Sequence, residues 1–262
     1  MSDSVPFSFP TDLAAVSKKD LRDYTYARIG LGKVGVGIPL KEVLAFRTAH
    51  AAAKDALFAP FETKEIEEKL GALGLQRITL YSEASDRTTY LQRPDLGRKL
   101  DPTSKYLLEV HATSQVVQPE VVIIVSEGLS AKAVNQHAVP LISLLQKKGN
   151  PAGWVLGPVV LLHKGRVAAS DPIGEIMGAK LVLMLIGERP GLSSPDSMGA
   201  YLTYQPQVGL TDERRNCVSN IRPAGLPYAF AADKLFYLIS ESLRKKISGV
   251  GLKDEMGSLA IE

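Results

Sequence analysis

Four short runs constrain the fold more than any other feature of this chain: ITLYS (78–82), VVIIVS (121–126), GPVVLLH (157–163) and KLVLMLIG (180–187). Val, Ile and Leu fill nearly every position of these runs instead of every second one, as in strands covered on both faces. Helical spacing of apolar residues between them predicts helices at about 103–115, 130–148 and 171–179, and a last helix at about 227–248. Strand and helix in alternation predict an α/β fold: a mainly parallel, Rossmann-like sheet flanked by helices, with right-handed crossovers. Residues 1–73 have a different texture, helical in LAAVSKKDLRDYTYARI and again at 40–58. The expected organisation is therefore an N-terminal helical segment (1–73) followed by an α/β domain (74–262).

RIGLGKVGVGIP (28–39) sets Gly30, Gly32 and Gly35 at the G-x-G-x-x-G spacing of a dinucleotide-binding turn. Such glycines must follow a buried strand and open a helix whose N-terminus holds the pyrophosphate. Here the preceding segment reads as a helix, and Ile38-Pro39 pushes any following helix start beyond the glycines. The acid expected about 20 positions on would be Asp55, which falls mid-helix. A loop between two helices fits better, and a nicotinamide-dependent oxidoreductase survives only as an alternative carried by these glycines.

The charge balance, 31 basic against 28 acidic residues, leaves +3 without a basic block, so nucleic acid is not an expected partner. No apolar stretch reaches the 18 or more residues of a membrane span, and MSDSVPFSFP has neither the basic start nor the apolar core of a signal peptide. No membrane association and a cytoplasmic location are expected. A single cysteine, Cys217, excludes an intrachain disulfide, and His50, His111, His137 and His163 are isolated from one another. No protein-held metal site is expected.

In a parallel sheet, ligands bind beyond the carboxyl ends of the strands. Three loops follow the apolar runs there: EGLSA after 126, KGRVAASDP after 163 and ERPGLSSPDS after 187. Their Gly, Ser and Pro content permits close backbone approach, and each carries a charged group. Glu188 reads either as an acceptor for ligand N–H and O–H groups or as an ion-pair partner of Arg189 or Arg166. Cys217, in RRNCVSN with no histidine nearby, reads from its surroundings as a small buried apolar residue, not a nucleophile.

SDRTTYLQRPDLGRKL (85–100), VVIIVSEGLSA (121–131), GRVAASDPIGEIMGAKLVLMLIGERPGL (165–192) and NCVSNI (216–221) closely resemble the small subunit of ethanolamine ammonia-lyase, in collinear order from about Thr25 to Gly251. ARIGLGKVG is similar to that family's N-terminal segment, which gives the glycines a second explanation. The resemblance implies a lyase active only with a large barrel subunit, in a hetero-oligomer with several copies of each chain. The holoenzyme would use adenosylcobalamin to convert ethanolamine into acetaldehyde and ammonia by a radical mechanism. The catalytic side chains would belong to the large subunit, and the cofactor would sit at the interface. Carried over, the cofactor contacts fall on Val167 in GRV, Glu188 in GERPGL and Cys217 in NCVSN. No histidine here fits the D-x-H-x-x-G motif of cobalamin proteins that replace the lower base, so the cofactor is expected base-on. One departure stands out: EGLS, with Glu127, replaces the family's DGLS. Longer relatives enter a bacterial microcompartment, the alternative to a cytoplasmic location. A corrinoid-binding module without catalysis is the alternative function.

Overall fold

The protein is represented by a computed structural model that describes residues 24, 25 and 27–256. The helix expected in LAAVSKKDLRDYTYARI lies almost wholly outside the described residues. Two units are distinguished, one up to Ala51 and one from Ala52 onward. Helix α1 (Leu40–Phe58) runs through the division.

In the first unit the glycine segment is a tight hairpin. Val34 N–H donates to the Gly37 carbonyl at 2.9 Å and Gly37 N–H returns to Val34 at 3.1 Å, with Gly35 at φ +60°. No strand precedes it among the described residues, and α1 begins only after Pro39. The geometry needed to hold a pyrophosphate is missing, which removes the dinucleotide reading.

The second unit is built on one six-stranded sheet: β1 (Arg77–Tyr81), β2 (Val121–Ser126), β3 (Val159–His163), β4 (Leu181–Gly187), β5 (Met198–Tyr204) and β6 (Arg215–Ile221). Their spatial order is β1-β3-β2-β4-β5-β6. The first four in that order are mutually parallel, whereas β5 and β6 pair antiparallel. The α/β expectation holds, and the sheet is mixed. All four apolar runs became strands, and β2 and β4 are buried along their whole length. β5 and β6 lie outside the four apolar runs.

The expected helices also form: α4 (Pro102–Ser114), α5 (Ala131–Gly149), α6 (Ser170–Ile176) and α7 (Tyr228–Lys245), besides the short α2 (Thr63–Ala72) and α3 (Arg87–Gln92). Their starts follow from capping. The Asp101 carboxylate accepts from Thr103 and Ser104 N–H with Pro102 in the first turn, and the Ser130 hydroxyl accepts from Ala133 N–H. Helix α6 stops short of residue 179 because Gly178 turns the chain at φ +63°.

The helices divide between two faces. On one, α2, α5 and α7 cover the sheet through Ile66, Leu70, Val134, Leu141, Leu235 and Ile239, and Val125, Leu183, Ala200 and Val218 meet them. Each fully buried Leu or Ile here contributes about 1.5–3 kcal/mol. On the other, Leu108 of α4 and Ile173 of α6 pack on Leu80, Ile124, Leu162 and Met184. That second cover ends at β4 and the first residues of β6, where Asp171 of α6 meets Arg215. Beyond it, Cys217 and Ser219 of β6 are exposed and Tyr201 of β5 is half-buried.

Candidate functional site

The uncovered half of the sheet forms one wall of an open groove of about 750 Å³, lined among others by Arg98, Arg166, Val167, Tyr201, Asp212 and Cys217. Tyr201 and Cys217 are register partners across β5 and β6. Partial burial of the thiol pushes its pKa upward, with the neighbouring Tyr201 hydroxyl opposing and the Glu188 charge adding to the rise. Cys217 therefore stays protonated at neutral pH and offers a soft contact, not a nucleophile. It lies on a strand and faces solvent, where the sequence suggested a buried residue in a loop; alternation along β6 sends Val218 to the core and its neighbours outward.

Val167 opens a 3₁₀ turn (Val167–Ala169) after β3 and packs at the margin of the apolar layer under α4 and α6. Glu188 follows β4 directly, and its N–H closes the β4–β5 hairpin on the Ser197 carbonyl at 2.9 Å. Its carboxylate accepts from the Ser197 hydroxyl, from the Ser219 hydroxyl at 2.5 Å and from Asn220 N–H at 3.2 Å. A β-bulge makes this possible. Ser219 and Asn220 together oppose Gly199, and Asn220 turns at φ +59°, a conformation asparagine tolerates. A Cβ on Gly199 would stand 2.9 Å from Glu188 Oε1, so only glycine lets the carboxylate lie over β5. Neither Arg189 nor Arg166 pairs with Glu188 among the described residues. The ion-pair alternative is thus not realised, and three donors of the chain itself occupy much of the capacity of the carboxylate.

The structure thus brings Val167, Cys217 and, through Ser219 and Gly199, Glu188 to one face of the sheet. Residues that the sequence did not single out complete it. Arg215 is clamped beneath the groove by Asp171, with Thr203 Oγ1 at 3.1 Å, and Asp212 stands 3.6 Å from its Nε. Burial alone would lower the Arg215 pKa, but Asp171 and then Asp212 more than offset this and hold it above the ordinary arginine range. Arg166 lays its guanidinium 4.1 Å from the centre of the Tyr90 ring, and its Nε is buried without an acceptor. No signal short of three-dimensional proximity links these groups, which come from distant segments.

Glu127, the departure at EGLS, is almost fully buried and turned inward. Its Oε1 accepts Lys164 N–H at 2.8 Å, where Lys164 holds φ +56°. Burial raises its pKa. The longer side chain braces the loop after β3 from the end of β2, which keeps Gly165–Val167 in place. Of the histidines, His163 stacks on Tyr81 at 4.6 Å and His137 bonds the Tyr228 hydroxyl at 2.6 Å. No group of His, Cys, Asp and Glu able to hold a metal ion occurs among the described residues. No described helix is long and apolar enough to cross a membrane.

Fold and site together define an α/β protein with an open groove on the one face of β5 and β6 that no described helix covers. Similarity then narrows the class. The model of the ethanolamine ammonia-lyase light chain family (EutC) matches residues 16–253. Similar relatives include the ethanolamine ammonia-lyase small subunits of Ralstonia nicotianae (51% identical, covering 89% of this chain and 87% of the relative) and Azotobacter vinelandii (50%, 90% and 88%). That of Pseudomonas fluorescens is 48% identical over 90% of this chain and 85% of its own length. The chain belongs to the ethanolamine ammonia-lyase small-subunit family.

Proposed function

We propose that this chain is the cofactor-holding subunit of an adenosylcobalamin-dependent ethanolamine ammonia-lyase, active in a hetero-oligomer with a large catalytic subunit. The observation that carries this reading is the open face of β5 and β6, on which Val167, Glu188 and Cys217 converge around Tyr201. Bound there, adenosylcobalamin supplies the radical chemistry that turns ethanolamine into acetaldehyde and ammonia. The residues present suit a corrinoid. Val167, the Tyr201 ring and Cys217 give apolar and soft contact to a broad apolar ring, and Glu188 and Asp212 can accept from its amide arms. Gly199 leaves the room in which Glu188 lies, and the unsatisfied Arg166 Nε marks a wall still short of an acceptor. The base-on form of the cofactor follows from the family resemblance.

Size supports a shared site. A groove of about 750 Å³ lies within the ~300–1,000 Å³ that encloses drug-sized ligands. A cobalamin is larger, so this chain covers part of it and the partner covers the rest. The chain contributes no acid, base or nucleophile to the reaction: the Cys217 thiol is held protonated, and Glu188 is engaged by its own loop. It binds, orients and excludes water.

The test is reconstitution. With the large subunit and adenosylcobalamin under anaerobic conditions, ethanolamine should yield acetaldehyde, and omission of this chain should abolish both turnover and retention of the cofactor in equilibrium dialysis. Retention without aldehyde would favour a corrinoid-binding module, and absence of both would reject the reading. We infer a cytoplasmic location; co-purification with shell proteins would place the enzyme in a bacterial microcompartment.

A further inference from the structure

The basic wall of the groove is built from two turns locked together. Arg166 N–H donates to the Gly97 carbonyl at 2.7 Å, joining the 3₁₀ turn Leu96–Arg98 to the one that Val167 opens. The approach is as close as the chain permits: a Cβ on Gly97 would stand 2.9 Å from Arg166 Cγ and 3.1 Å from the Lys164 carbonyl. The two turns that carry Arg98 and Arg166 are therefore fixed against each other, and both residues line the groove.

Among the described residues neither cation has a carboxylate partner. Arg166 rests on Tyr90, a fully buried residue, through its ring and through Nη2 donating to the Tyr90 carbonyl at 2.9 Å. Both of these are neutral groups, and Nε is left without an acceptor. Arg98 is exposed and makes no ion pair. The acids that line the groove are Asp212, which faces Arg215, and Glu213. A guanidinium positioned by a buried aromatic ring and with no carboxylate partner among the described residues suits an anion in the groove it lines, and its planar fork of donors matches phosphate oxygens. The amide arms of a corrinoid are neutral. The anionic group of its nucleotide tail is the phosphodiester.

We propose that Arg98 and Arg166 form a clamp for the phosphodiester of the cofactor's nucleotide tail, an inference that rests on the cofactor reading above. The clamp orients the cofactor, with its tail toward the turns after β3 and before α4 and its amide arms toward Glu188 and Asp212.

Three adenosyl corrinoids test this by equilibrium dialysis against the complex with the large subunit: adenosylcobalamin, adenosylcobinamide phosphate and adenosylcobinamide, the last lacking the phosphate. The wild-type complex should hold the first two more tightly than the third. Arg166→Gln and Arg98→Ala should each weaken binding of the two phosphate-bearing compounds by roughly 10- to 100-fold and leave adenosylcobinamide unchanged. Because Arg98 is exposed, Arg98→Ala keeps the test available if Arg166→Gln disturbs packing on Tyr90. Equal weakening of all three compounds, or of none, would overturn the clamp while sparing the cofactor reading. Failure of the wild-type complex to retain any of them would overturn both.

Discussion

Asp171 of α6 and Arg215 of β6 share two hydrogen bonds of 2.7 Å, with both side chains 2% exposed. The pair fastens the edge strand of the sheet to the helix beside it, two residues before Cys217. Removing one partner strands a buried charge, which costs about 3–5 kcal/mol, whereas replacing both by apolar groups of similar volume can be neutral. Asp171→Leu and Arg215→Met should each lower the thermal midpoint sharply, and the two combined should recover most of the loss. Additive losses in that double-mutant cycle would show that the two residues act independently.

The end of β4 makes a contrasting prediction about glycine. A Cβ on Gly187 would stand 2.0 Å from the Ser130 carbonyl and 2.4 Å from that of Glu127, both backbone, so neither can step aside. Gly187→Ala should destabilise by about 1–3 kcal/mol or more. Gly71, inside α2, has only the Arg77 guanidinium within reach, at 3.6 Å. Gly71→Ala should raise stability by about 0.5–1 kcal/mol. Chemical denaturation of both variants reads the difference in sign.

His163 sets a pH dependence. Burial against Tyr81 and Phe61, with the Lys164 charge adding to it, holds its pKa at about 4 against an ordinary 6.5. Above pH 6.5 the ring is neutral in folded and unfolded chains alike and contributes nothing. As pH falls from 6.5 toward 4 the unfolded chain takes up a proton that the folded one refuses, so stability is lost across that window. The ring is partly open to solvent, which limits the effect to about 1–2 kcal/mol. His163→Phe keeps the stack and should lose less stability between pH 7 and 4.5 in urea titrations. Identical losses in the two proteins would remove His163 as the cause.

Glu188→Ala should raise the adenosylcobalamin concentration needed for half-maximal activity and leave turnover at saturation largely intact. Because the carboxylate also gathers Ser197, Ser219 and Asn220, hydrogen exchange at the Asn220 amide provides a control for loosening of the bulge. An unchanged cofactor requirement would take Glu188 out of the site.

Legibility in the sequence followed burial. β2 and β4 are buried on both faces, so their apolar runs announce them, and Asp101 and Ser130 mark helix starts by local chemistry. β5 and β6 gave no such signal. MGAYLTY is buried at every position but Tyr201, yet Gly199, Ala200 and Thr203 break up its large apolar residues Met198, Leu202 and Tyr204, and RNCVSNI carries only Val218 and Ile221 of its apolar residues into the core. With those strands unseen, the sheet read as mainly parallel without its antiparallel edge, and Cys217 fell in a loop. Val167, Glu188 and Cys217 were reached through family resemblance. Tyr201, Arg98 and Arg166 escaped because their relation to the groove depends on β-register and on a backbone bond between Gly97 and Arg166, neither of which leaves a local pattern.

The helix-free half of the sheet also divides the labour among residues. Along β6, Val218 and Ile221 answer to the core, while Cys217 lines the groove and Ser219 is exposed beside it. A change at Cys217 therefore perturbs the groove surface at little cost to the core, since exposed sites away from special contacts shift stability by only about half a kcal/mol, whereas Ser219 is tied to Glu188. On this strand, ligand preference can drift or be redesigned without a compensating repair of the core, a freedom denied to β2 and β4, where every residue is buried.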